Sequence, residues 1–190
     1  MNLNSPMPKQ AIDTTQILNE RAQAVCARAK VLEELGEFEA ARDALTPFWQ
    51  RIGERPNVTG LDVVEQAEVF LRAGALSGWI GSARQVPGAQ EIAKDLISAA
   101  ARLFDGCGLR ERVAEARVDL AICYWREGAF DEARVSLDDA LQQLGELESE
   151  QRLRALLGHF RFAPVRTIVN EYVPTEAEER LAPAGLPYLW

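Results

Sequence analysis

The sequence predicts an all-helical protein in which helices pack as consecutive antiparallel pairs. Three observations carry this expectation. Ala, Leu, Glu and Arg recur along all 190 residues, while runs rich in Val, Ile, Thr and Tyr are scarce; the first set favours helices and the second favours strands. Apolar residues return at helical spacing, as in Leu153, Leu156, Leu157 and Phe160. The segments between such stretches are short, and short connections force neighbouring helices to pack antiparallel.

The elements follow in order. A tail with Pro6 and Pro8 covers 1–12. A first helix runs over about 14–35, capped by Asp13 or Thr14, and Gly36 stops it. A second starts near Phe38 with Phe38, Ala41, Leu45 and Phe48 on one face, and Pro47 bends or ends it. Residues 51–60 hold two Gly and one Pro and read as a loop. A third helix spans about 61–80, a turn covers 81–88, and a fourth helix spans about 89–104. After a break at 105–108, helices follow over about 109–127, 130–144 and 147–160. The helical repeat domain is thus 13–160. The remaining 161–190 is a Pro-rich tail with an apolar end, Leu186-Pro187-Tyr188-Leu189-Trp190, that suits a cap over the last repeat or a contact in trans with a partner.

Composition narrows the function classes. With 47% hydrophobic and 26% charged residues the chain can bury a real core. A net charge of −8, with 18 Arg and 3 Lys scattered among acids, repels phosphate backbones and argues against nucleic acid. The opening residues lack the charged and apolar regions of a signal peptide. No stretch approaches the ~18 uninterrupted apolar residues that span a bilayer. Cys26, Cys107 and Cys123 are far apart and His159 is the only histidine, so neither a metal nor a cofactor is expected. The three thiols read as buried and reduced, in a cytoplasmic protein.

Two segments align without gaps. Gly36, Phe38, Ala41, Arg42 and Leu45 match Gly128, Phe130, Ala133, Arg134 and Leu137. The Gly permits a left-handed exit from the first helix, the aromatic fills the gap between two helices, the Ala allows close approach, and the Leu continues the buried stripe. With Leu120, Ala121, Tyr124 and Ala140 around the second copy, this pattern resembles the tetratricopeptide repeat family. Ala29 and Leu32 extend the match upstream of Gly36, though Arg28 stands where the family prefers Leu. The middle pair fits through Gly74, Gly81, Ala93 and Ile97, with an insertion near 82–88. Gly36 and Gly128 are 92 residues apart, against about 68 for two family repeats, so the connecting loops are longer than usual.

The resemblance implies a right-handed superhelical stack, an α-solenoid of about three repeats plus a closing helix. It implies a concave groove lined by the first helix of each pair. Groove candidates are Gln23, Cys26, Lys30 and Glu33 in the first repeat; Glu68, Leu71, Arg72 and Trp79 in the second; and Glu115, Val118, Asp119, Ile122 and Arg126 in the third, with Trp125 nearby. Arg72, Arg126 and the two Trp stand out, because Arg and Trp dominate binding hot spots.

No catalytic constellation is visible. The adjacent acids Glu33-Glu34, Asp138-Asp139 and Glu178-Glu179 read as solvated helix surface, since neighbours on a helix point about 100° apart. Gly106-Cys107-Gly108 begins like a phosphate loop, but no strand precedes it and Glu111 stands where a third Gly belongs. A small helical enzyme would need a buried carboxylate pair. The leading expectation is therefore a protein–protein interaction scaffold that binds a peptide or protein segment, basic or mixed apolar–basic in view of the net charge. Its alternative is a ligand-sensing regulatory array of a bacterial signalling or transcription-control system, with a pocket near Trp79 and Trp125.

Overall fold

The structure, a computed structural model, describes residues 14–145, 152 and 154–156. Six helices follow in order: α1 (Thr14–Glu34), α2 (Phe38–Ala44), α3 (Val63–Ala83), α4 (Ala89–Gly106), α5 (Arg110–Arg126) and α6 (Phe130–Leu144). Residues 152 and 154–156 are helical too, and there is no strand among the described residues. The expected tails and most of the expected helix over 147–160 lie outside the described residues.

The helices pack as neighbouring pairs. The most extensive contacts are α3 on α4 and α5 on α6, followed by α4 on α5 and α1 on α2. The first members of successive pairs also touch, α1 on α3 and α3 on α5. This makes α3 the centre of the molecule: it meets α1, α2, α4 and α5, and 14 of its residues are buried. One apolar cluster spans α1 to α5. A second joins Ala114, Val118 and Ala121 of α5 to Ala133, Leu137, Ala140 and Leu144 of α6, and to Ala155.

The turns share one geometry. Gly36 has φ +78°, and Glu37 N–H returns to Leu32 O at 2.8 Å. Gly128 has φ +79°, and Ala129 N–H returns to Tyr124 O at 2.9 Å. Such six-to-one bonds satisfy the last carbonyls of a helix while a left-handed residue reverses the chain. After α3 the same bond runs from Val86 N–H to Gly81 O at 2.8 Å, but the left-handed residue is Gln85, φ +53°. The sequence pattern puts Gly81 near this turn; in the structure Gly81 stays inside α3. A side chain in the left-handed region costs about 1 kcal/mol. Gln85→Gly is therefore expected to raise the urea midpoint, by up to about that amount in stability.

Gly74, Gly78 and Gly81 form the seam on α3 against which α4 lies. A Cβ at Gly81 would sit 2.3 Å from Ala89 Cβ, and one at Gly74 would sit 2.7 Å from Ile97 Cγ1 and 3.1 Å from Ala93 O. Because an alanine methyl cannot swing away, Gly81→Ala must push the two helices apart. It is expected to cost about 1–3 kcal/mol by overpacking, seen as a lowered melting temperature.

One element departs from the expectation. Helix α2 stops at Ala44 instead of running on towards Phe48. Thr46 precedes Pro47, which disfavours helical backbone there, and Pro47 has no N–H to continue the ladder. The chain closes with tighter bonds, Leu45 N–H to Arg42 O and Thr46 N–H to Asp43 O. Leu45, Phe48 and Trp49 remain buried in this non-helical stretch. Trp49 is 1% exposed and donates its Nε1–H to Glu54 O at 3.0 Å, which pins the loop to the core.

Candidate functional site: a charged face across three helices

Helices α1, α3 and α5 lie side by side and present polar groups to one another. Near the start of α1, Asn19 Nδ2 donates to Asp62 Oδ2 at 2.7 Å and Gln23 Nε2 donates to Glu65 Oε1 at 2.7 Å. Farther along, Arg72 occupies the centre. Its Nη1 donates to Glu33 Oε2 and its Nη2 to Glu115 Oε1, both at 2.7 Å, and Asp119 Oδ2 lies 3.7 Å from Nη2. Lys30 approaches Glu115 at 3.5 Å, Arg112 bridges Glu68 and Glu115, and Arg154 reaches Asp119 at 3.4 Å.

Burial sets the character of this network. Arg72 is 3% exposed, Glu115 1% and Asp119 8%. Burial disfavours a charged guanidinium at Arg72, but Glu33, Asp119 and Glu115 outweigh it and hold it firmly protonated. Burial would also raise Glu115, but Arg72, Arg112 and Lys30 prevail and hold its carboxyl below the usual range. Glu33 goes the other way. Desolvation pushes its carboxyl up to about 8 despite Arg72, and its Oε1 is buried without a hydrogen-bond partner. Burial raises Asp119 as well, against Arg72 and Arg154.

Beside the network runs an aromatic–cation stack. Phe38 and Trp79 are stacked with ring centroids 4.7 Å apart, and the Arg126 guanidinium carbon lies 3.5 Å from the Trp79 centroid. At those distances the two groups cannot share one face of the indole, so Trp79 is sandwiched. Arg126 Nη1 also donates to Gly78 O at 2.7 Å, an oxygen that accepts from Gln90 Nε2 at 2.9 Å as well.

The structure brings the eight principal groove candidates onto this one face. Lys30, Glu33, Arg72, Trp79, Asp119 and Ile122 line a single cavity of about 130 Å³, together with Phe38 and Arg154. Arg126 adjoins it through Trp79 and Ile122, and Glu115 lies behind it, paired to Lys30 and Arg72. Lys30 also borders a wider depression of about 330 Å³ with Gln23, Cys26, Glu68 and Arg112.

Several expectations need correction. Arg72 is not a surface anchor; three carboxylates hold it in the interior. Leu71 and Val118 lie in the apolar clusters and not on this charged face. Glu33 is largely buried while its neighbour Glu34 is exposed, so the pair is not uniformly solvated surface. A buried carboxylate pair does exist, in Glu115 and Asp119, one helical turn apart. Trp79 is 37% exposed and Trp125 packs half-buried on the second cluster. Cys26 and Cys123 are buried, their thiols pushed up to about 12 chiefly by burial, but Cys107 is exposed.

Sequence reasoning missed Arg112, Arg154 and the rim role of Phe38. A signal for part of this was present. The cross-helix pairs Asn19–Asp62, Gln23–Glu65, Glu68–Arg112 and Arg72–Glu115 are separated by 42 to 44 residues. A search for complementary polar residues at that offset would have given the spacing of the first helices directly.

Among the described residues no group of His, Cys, Asp and Glu is placed to hold a metal ion, and no helix is long and apolar enough to cross a membrane. Comparison with family models, with curated proteins and with solved structures returns no match.

Proposed function

We propose that the chain is a protein-interaction module, a tetratricopeptide-like stack that grips an extended peptide segment on the face formed by α1, α3 and α5. The observation that carries this reading is the shared cavity of Lys30, Glu33, Arg72, Trp79, Asp119 and Ile122. Residues far apart in sequence converge there, each from the first helix of its pair. At about 130 Å³ the cavity suits one side chain of a partner, and the adjoining depression of about 330 Å³ that shares Lys30 leaves room for the segment to continue. The similar turns after α1, α3, α4 and α5 and the serial contacts of α1, α3 and α5 support the stacked architecture. Buried Glu115 meets Arg72 and Arg112 and buried Asp119 meets Arg72 and Arg154, which fits counter-ions that fix the scaffold better than acid–base groups.

The net charge of −8 by itself favours a basic partner. The acids Glu33, Glu115 and Asp119 are engaged internally, so the partner's character is better read from groups left over. At this rim those are exposed Glu34, which would take a basic residue, the apolar edge of Trp79 with Ile122, and Arg126. A photo-crosslinking amino acid at position 122 tests the reading in cells of the native host. It should capture a protein partner, whereas the same probe at Arg102 on the far side of α4 should not. Capture from 102 alone, or from neither position, would sink it.

The regulatory alternative expected its pocket near Trp79 and Trp125; the larger cavity lies elsewhere, about 480 Å³ between α4, α5 and α6, lined by Ser98, Arg102, Asp105, Arg117, Asp139 and Gln142. That volume suits a small polar molecule. A metabolite screen by thermal shift, with Arg117→Ala as the control, separates the two readings.

A further inference from the structure

Arg126 is a half-buried cation for which the fold supplies no carboxylate counter-ion among the described residues. The other cations of the face are matched: Lys30 by Glu115, Arg72 by Glu33 and Glu115, Arg112 by Glu68, and Arg154 by Asp119. Arg126 has no carboxylate within ion-pair reach among those residues. The groups it touches are uncharged, the Gly78 carbonyl and the Trp79 ring. Burial lowers its pKa and no carboxylate opposes that shift. A guanidinium carries five N–H donors in one plane, so most of its hydrogen-bonding capacity is left for another molecule.

The group is also held in place. Phe38 supports the far face of Trp79, Trp79 supports the guanidinium, and Gly78 O fixes one nitrogen. A planar fork fixed in this way loses little freedom when it engages an acceptor, and its geometry matches a carboxylate in two-point contact. One helical turn earlier on α5, half-buried Ile122 offers an apolar surface beside it.

We propose that Arg126 receives a carboxylate of the partner segment, with a neighbouring apolar side chain of that segment seated on Ile122 and the edge of Trp79. This inference rests on the groove reading above. Charge complementarity favours it. A partly desolvated cation without a partner is unfavourable, and an incoming acid relieves it while gaining a charge-assisted bond. The carboxylate is that of an acidic side chain within the extended segment, and a chain terminus is the competing source that the test below separates.

Selection of a random decapeptide library, displayed with blocked C-termini, against the full chain tests the proposal, with a free-terminus library run beside it. Asp or Glu should be enriched at one fixed position next to an apolar residue. In a synthetic copy of a selected peptide, changing that acid to its amide should weaken binding about tenfold or more to the unmodified protein and hardly at all to Arg126→Gln. Arg126→Lys should restore only part of the preference, and circular dichroism melting checks that both variants fold. Recovery of such peptides from the library with blocked termini supports the side-chain carboxylate, and recovery only from the library with free C-termini overturns it in favour of a terminal one. Selection from both libraries of peptides with no fixed acid, or an acid preference that survives Arg126→Gln, overturns the proposal and leaves the groove reading standing. Recovery of no peptide from either library overturns both.

Discussion

Arg72→Met is expected to destabilise the protein by about 3–5 kcal/mol, the usual cost of removing one partner from a buried ion network. The thioether fills much of the same volume, so the loss is electrostatic and not a cavity effect. Glu33, Glu115 and Asp119 would be left facing one another in a site where Arg72 and Glu115 are almost wholly buried. Arg72→Lys should recover only part of the stability, because an ammonium cannot reach two carboxylates with the fixed fork that joins Glu33 to Glu115. Urea denaturation of the three proteins measures this. A loss under about 1 kcal/mol for Arg72→Met would show that the network is not integral to the fold.

The second large effect is a dependence on pH. Burial raises the Glu33 carboxyl to about 8, from an ordinary value of 4.5. Between those values the folded protein holds a proton that the unfolded chain releases. The stability tied to this proton is therefore fully present below the unfolded pKa and falls as pH rises through the folded one. The upward shift at Asp119 acts in the same direction. Glu115, held low, acts in the opposite sense, and its contribution is lost on acidification below its ordinary range. Stability should peak in weak acid and decline towards pH 9. The decline amounts to several kcal/mol at most, because a tenfold change in proton affinity is worth about 1.36 kcal/mol. Glu33→Gln, which imitates the neutral acid, should cost little near pH 6 and make the protein more stable than the parent at pH 9. Melting temperatures of both proteins across pH 5–9 decide it, and parallel curves would refute the assignment to Glu33.

Local features were readable from the sequence, and long-range pairings were not. Gly36 and Gly128 announced their turns because a left-handed residue at a helix end is a local requirement. Gln85 hid the equivalent turn, since nothing in a glutamine signals positive φ. The site's constituents were legible in outline, because helical periodicity tells which residues of one helix share a face. What periodicity omits is the register between helices separated by loops of unequal length. That register decides that Arg72 falls between Glu33 and Glu115 and becomes interior, while Arg126 falls against Gly78 and Trp79 and stays half open. Trp49 escaped for a related reason: it is buried by a non-helical loop, where no period marks an inward side.

The ion network has one more consequence, for cooperativity. In an array whose units touch only their nearest neighbours, the ends fray independently and units can be added or lost piecemeal. Here Lys30 of α1 contacts Glu115 of α5, and Arg72 of α3 links a carboxylate from α1 to one from α5. Detaching α1 removes two partners from that web at once and leaves the rest unbalanced. The three helix pairs should therefore exchange their slowest amide hydrogens at a common rate and unfold in a single step. A shortened chain lacking the first pair would then be no smaller version of this protein, because the charge that closes its centre comes from the part removed.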